Sequence, residues 1–132
     1  MRSLKCLILC LFVFSGVTAA TAEQRPFAHK GVAEDAERYE TYLENNWQPG
    51  ATRQAADLRL AGDKALGADP RAASRSYAAA VVADDKAPES WLGLARALLA
   101  IKPNSDNSAE RYDLPVNASG AAYRAYELAS DD

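Results

Sequence analysis

Leu60-Ala61 and Leu94-Ala95 stand 34 residues apart, and each pair falls in the first helix of what reads as a helical hairpin. A hairpin that recurs at this period leaves a chain of 132 residues few folds, because such a unit cannot bury its own apolar face and must stack on a neighbour. Composition agrees with helices throughout. Alanine comes in runs (Ala55-Ala56, Ala72-Ala73, Ala78-Ala79-Ala80, Ala121-Ala122), valine is sparse, and Ile101 is the one isoleucine after residue 22. These choices favour helix and argue against a sheet. The predicted fold class is all-α: antiparallel helical hairpins, about five helices, following a signal peptide.

The amino terminus sets the compartment. Residues 1–22 begin with Arg2 and Lys5, run through the apolar stretch Cys6 to Phe14, and end in the small residues Ala20-Thr21-Ala22. That order reads as a cleavable secretory signal cut after Ala22, which predicts a periplasmic or secreted protein. The apolar run falls far short of the roughly 20 residues that span a bilayer, so no stable membrane insertion is expected after cleavage. Cys6 and Cys10 leave with the signal, and residues 23–132 then offer no disulfide, thiol nucleophile or thiolate metal site. The loss of Arg2 and Lys5 leaves 13 basic against 18 acidic side chains, a net charge of -5. A chain of that balance is a poor binder of polyanions, and no nucleic-acid partner is expected.

Residues 23–31, with Pro26 and Gly31, read as a flexible leader, and 32–132 as one helical domain. Val32, Ala36, Tyr39, Leu43 and Trp47 recur at the spacing of one helix face, which predicts a first helix over 32–47. A second runs from a Thr52 cap to about Leu66 and ends at Gly67. Pro70 and Pro88 each suit the first position of a helix, predicting a third over 70–83 and a fourth over 88–101. The polar stretch that follows reads as a loop over about 102–117, and the fifth helix is expected from Ala118 to about Ser130, with Asn117 as its cap.

The 34-residue period resembles that of the tetratricopeptide repeat. With Trp91 at the large first position, Leu94, Ala95 and Leu98 follow on the same helix, and Ala73, Tyr77 and Ala80 become the small-large-small trio of the preceding one. Leu60 and Ala61 belong to the same core by the period. A second trio, Ala122, Tyr126 and Ala129, lies about fifteen residues late, which predicts an insertion over 102–114. With only about one and a half repeats, the outer face of the last helix is expected to need cover. That cover is a protein partner, the remainder of a longer chain, or self-association through the last helix, while the first helix caps the opposite end.

The order of signal peptide, Pro26-Phe27-Ala28-His29 leader, acidic helix, Trp91-Leu92-Gly93-Leu94-Ala95-Arg96-Ala97-Leu98-Leu99, Pro103 and Ala121-Ala122-Tyr123-Arg124-Ala125-Tyr126 resembles the amino-terminal region of large bacterial alpha-2-macroglobulin-type proteins. The resemblance implies a helical leader module of a periplasmic peptidase inhibitor, or a truncated product of such a gene. In that family a bait segment is cut, the body closes on the peptidase, and many members capture it through a thioester. This chain holds neither the bait domain nor the thioester motif, so no residue of that mechanism carries over.

Chemistry-bearing residues are few. His29 is the only histidine and sits in the leader without a Gly-x-Ser-x-Gly companion. Asp84-Asp85 and Asp131-Asp132 are adjacent acids at helix ends, where solvation is the ordinary fate. No catalytic, metal or cofactor-binding residue is predicted, and the chain does not read as an enzyme. Tetratricopeptide arrays of the co-chaperone kind grip a peptide carboxylate with Lys and Asn, whereas the matching positions here are Leu58, Gly62, Leu92, Gly93 and Arg96. A partner groove would therefore rest on apolar contacts and on Arg59 and Arg96, with Trp47 as a further candidate anchor.

Overall fold

A computed structural model of the chain describes residues 31–47 and 54–131. The signal peptide predicted over 1–22, most of the predicted leader with His29, and the predicted Thr52 cap lie outside the described residues. Five helices follow in order: α1 (Val32–Asn46), α2 (Ala55–Ala65), α3 (Pro70–Ala83), α4 (Pro88–Ala100) and α5 (Ser108–Ser130). No strand occurs among the described residues, and the fold is all-α.

Local chemistry accounts for the ends. Pro70 opens α3 and Pro88 opens α4 at the position where a missing N–H costs nothing. The Asp69 carboxylate accepts from the Ala72 N–H at 3.0 Å and caps α3. At α1, Trp47 leaves the helical conformation after its N–H bonds the Leu43 carbonyl.

The helices pack as two antiparallel hairpins, α2 with α3 and α4 with α5, and α3 lies against α4 to join them. The core sits along this seam. Ala73 and Tyr77 of α3 are buried in one cluster with Trp91, Leu94, Ala95 and Leu98 of α4, and Ala80 is buried as well. Trp91 is fully buried, and its indole N–H donates to the Asp85 carbonyl at 2.9 Å, which satisfies the ring's one polar group. Small residues at 73 and 80 let the helix backbones approach on either side of the Tyr77 ring.

Several expectations are corrected. Leu60 is 50% exposed and Ala61 only half-buried, although Leu94 and Ala95, their counterparts 34 residues on, are buried. The cause is position in the stack: α4 has a helix on each side, whereas α2 is flanked closely by α3 alone and buries Leu58 and Gly62 instead.

The insertion over 102–114 and the loop to 117 are also corrected. Only residues 101–107 connect α4 to α5, and the rest extends α5 to 23 residues. Asn107, not Asn117, caps it: the Asn107 side chain accepts from the Glu110 N–H at 3.1 Å. Pro115 lies within this helix; its ring and Arg111, whose carbonyl it leaves unpaired, are both on the exposed side.

The last trio shifts with the helix start. Ala129 is exposed and Ala122 and Tyr126 half-buried; Ala118, Ala121 and Ala125 are the residues that α5 buries in the core shared with α4. The reason is that α5 is gripped from two sides. Its other face receives α1, so α1 covers the last helix rather than capping α2, and the bare face expected there is occupied. Val32 and Ala36 pack on Tyr123, and Gly120 is the point of closest approach: a Cβ there would lie 3.1 Å from the Ala36 Cα. Arg124 fixes the pair by bonding Glu40 of α1 and Glu127 of its own helix.

Candidate functional site

Two of the clefts that this packing leaves hold the candidate residues. The first, about 260 Å³, lies between α2 and α4 and is lined by Arg59, Asp63, Leu66, Tyr77, Glu89, Leu92, Gly93 and Arg96. Two of the three candidate partner residues, Arg59 and Arg96, therefore meet in one groove. Its walls come close because both helices present glycine to the same ring: a Cβ on Gly62 would fall 2.8 Å from Tyr77 and one on Gly93 2.3 Å from it. The Tyr77 hydroxyl donates to Asp63 Oδ1 at 2.6 Å. Burial, then that bond and the Asp63 charge, push the phenol up to about 12, with Arg96 and Arg59 pulling the other way. Arg59 Nη1 lies 3.9 Å from Glu89 Oε2, while its buried Nε has no hydrogen-bond partner among the described residues. The arrangement is a charge-paired wall.

The second cleft is larger, about 460 Å³, and opens where α1 leans on α5 and touches α3 at few points. Trp47, the third candidate, belongs here and not with the arginines. Tyr39 and Tyr42, one helical turn apart on α1, stack with ring centroids 6.2 Å apart and planes 12° from parallel. Ala78, Leu98, Ile101 and Leu114 form the apolar floor. The rim holds Asp35 and Arg38, paired with each other at 2.9 Å, and it also includes Arg71 and Asp113. Arg71 is held by Glu110 at 2.5 Å and by the Lys102 carbonyl at 3.2 Å. The Arg71 hydrogen bond, then the Asn104 N–H, hold the Glu110 carboxyl below its ordinary range.

Comparison with protein-family models, curated proteins and solved structures finds no match for this chain. The geometry is what remains to read. Among the described residues no group of three His, Cys, Asp or Glu side chains is placed to hold a metal, and no helix is long and apolar enough to cross a membrane.

The aromatic cleft was only partly legible in the sequence. Tyr39 and Trp47 share the apolar face of α1, but Tyr42 lies off that face, and the facing wall depends on α5 beginning at Ser108. The Asn107-Ser108-Ala109-Glu110 run carried that signal, since Asn followed three residues later by Glu is a helix-start pattern.

Proposed function

We propose that this chain is a non-catalytic, exported helical-repeat interaction module, and that it forms the amino-terminal segment of a bacterial alpha-2-macroglobulin-type peptidase inhibitor. The observation that carries the interaction reading is on α2 and α4, the first helices of the two hairpins. Leu60, Leu92 and Leu99 are 50%, 41% and 69% exposed there, and Leu92 borders the Arg59–Arg96 groove. Large apolar side chains left in water on the first helices of stacked hairpins suit a surface that another polypeptide covers. The macroglobulin assignment rests on the order of leader, acidic helix and repeat segments in the sequence.

A second reading is a stand-alone periplasmic adaptor that binds another envelope protein through the same groove. It is favoured by Arg59, whose buried Nε awaits an acceptor among the described residues. An antibody against residues 31–131, used on a periplasmic extract separated under denaturing conditions, distinguishes the two. The macroglobulin reading expects a band many times larger than this chain. A single band at the size of the chain itself rejects that reading and leaves the adaptor, and absence from the periplasmic fraction rejects both.

A further inference from the structure

The cleft between α1, α3 and α5 carries groups that neither the core nor the helix ends use. Asn117 lies mid-helix, where asparagine is a poor choice, and its side-chain amide has no hydrogen-bond partner among the described residues although the residue is half-buried. Asp113, one turn earlier on the same face of α5, is likewise without a hydrogen bond or ion pair among them. Both line the cleft. To the same cleft α1 supplies flat rings. Tyr42 is 54% exposed, yet it stacks on the buried Tyr39, which holds a rigid apolar face in water. Trp47 adds an indole at the end of the helix.

Charge and hydrogen-bonding capacity then narrow the occupant. The rim guanidiniums are already engaged, Arg38 with Asp35 and Arg71 with Glu110 and the Lys102 carbonyl. Asp113 is the rim charge left over, so an anionic ligand meets a carboxylate and no unpaired cation. A cation would find Asp113, but it would also face Arg38, Arg71 and the amide donors of Asn117. The lining suits a neutral group whose polar atoms both donate and accept. Asp113 only accepts, the Asn117 amide does both, and the Ser74 hydroxyl, which gives its proton to the Arg71 carbonyl, is left as an acceptor.

A sugar ring meets both demands, because the hydroxyls around its edge donate and accept while its C–H faces are apolar. We propose that this cleft binds a neutral oligosaccharide, with a pyranose face on Tyr42 and Trp47 and ring hydroxyls bonded to Asp113 and Asn117. The volume of about 460 Å³ is in the range of small-ligand sites. The cleft shares no lining residue with the Arg59–Arg96 groove, so the proposal stands apart from the interaction reading.

The test titrates the purified protein with cellotetraose, maltotetraose and N-acetylated chitotetraose in turn, followed by the amide spectrum and by tryptophan fluorescence. Trp91 is fully buried, so a fluorescence change reports Trp47. The expected result is saturable binding of at least one of the three, with shifts around the cleft and an affinity that added salt leaves unchanged, since no charge is neutralised. Asn117→Ala should weaken binding by about fivefold, the size of one hydrogen bond. It should not lower the melting midpoint, because alanine is the better helix former and no internal partner is lost; a residue kept for structure would lower it. Tyr42→Ala, at an exposed position, should weaken binding by about tenfold while the midpoint stays within a few degrees. Overturning results are no saturation by any of the three at millimolar concentration, binding that Asn117→Ala and Tyr42→Ala leave unchanged, shifts confined to the Arg59–Arg96 groove, or saturation by tetramethylammonium or decaproline where the saccharides show none.

Discussion

The Tyr77 ring occupies the space that a side chain on Gly93 would need: a Cβ at residue 93 would lie 2.3 Å from Tyr77 Cε1, far inside van der Waals contact. Tyr77 is on the first hairpin and Gly93 on the second, so this contact sets how closely the two hairpins stack.

Gly93→Ala should therefore destabilise the protein although alanine is the better helix former. Overpacking costs about 1 to 3 kcal/mol against a propensity gain of about 1 kcal/mol, and the ring is too enclosed to yield, so we expect a net loss near 2 kcal/mol in urea melts. Gly67→Ala is the control, because nothing lies within 4 Å of that site. In a Tyr77→Ala background the Gly93→Ala penalty should vanish. A Gly93→Ala protein as stable as the parent would mean that the hairpins are not stacked through this ring.

Trp91→Ala is expected to cost about 3 to 5 kcal/mol, since the ring is fully buried between α3 and α4. Trp91→Phe should fall between, losing volume and leaving the Asp85 carbonyl without its donor. A loss under about 1 kcal/mol for the alanine variant would remove Trp91 from the core.

How much of this was readable depended on whether a residue's surroundings were local. Pro70 and Pro88 marked helix starts because proline's missing N–H is a property of the residue itself, and both helices begin there. Ala73, Tyr77, Ala80 and Trp91 were readable as core because they lie at the centre of the stack, where every side of the small-large-small face is covered. Leu60 was not, since the period repeats sequence but not neighbours, and α2 is at the end of the stack. Pro115 hid the first ten residues of α5: a proline reads as a breaker unless the carbonyl it orphans can face water, and that is settled only by which side of α5 meets α4 and α1. The aromatic cleft needed both that extension and the return of α1 over α5, a long-range packing no local pattern encodes.

Alkaline pH should weaken the fold in a way that Tyr77→Phe removes. The Tyr77 phenol is raised from 10.0 to about 12, so its contribution is complete below about pH 10, where the unfolded phenol is still protonated. As pH rises from about 10 to about 12 the unfolded chain ionises first and that contribution is lost. Melting midpoints of the parent should fall toward those of Tyr77→Phe across this window. A constant difference between the two proteins from pH 8 to pH 12 would contradict the assignment.

The connection between the second pair of helices depends on Glu110. Its carboxylate accepts from Asn104 N–H at 2.7 Å and pairs with Arg71 of α3, and its pKa is held below 4.5 by the Arg71 bond first and the Asn104 bond next. The tie is complete above the ordinary carboxylate range and is lost as pH falls through the lowered value. Glu110→Gln should speed hydrogen exchange of the Asn104 amide at neutral pH while leaving α4 amides such as Leu94 protected. Equal Asn104 protection in both proteins would show that Glu110 does not hold the connection.

The stack of two hairpins closed on one ring is tested most directly by a nuclear Overhauser spectrum of the folded protein. Both Gly62 and Gly93 α-protons should give cross-peaks to the Tyr77 ring and be shifted upfield by it. Cross-peaks to Gly62 alone would mean that the first hairpin forms without the second stacked upon it, and the account of both clefts would fail with it.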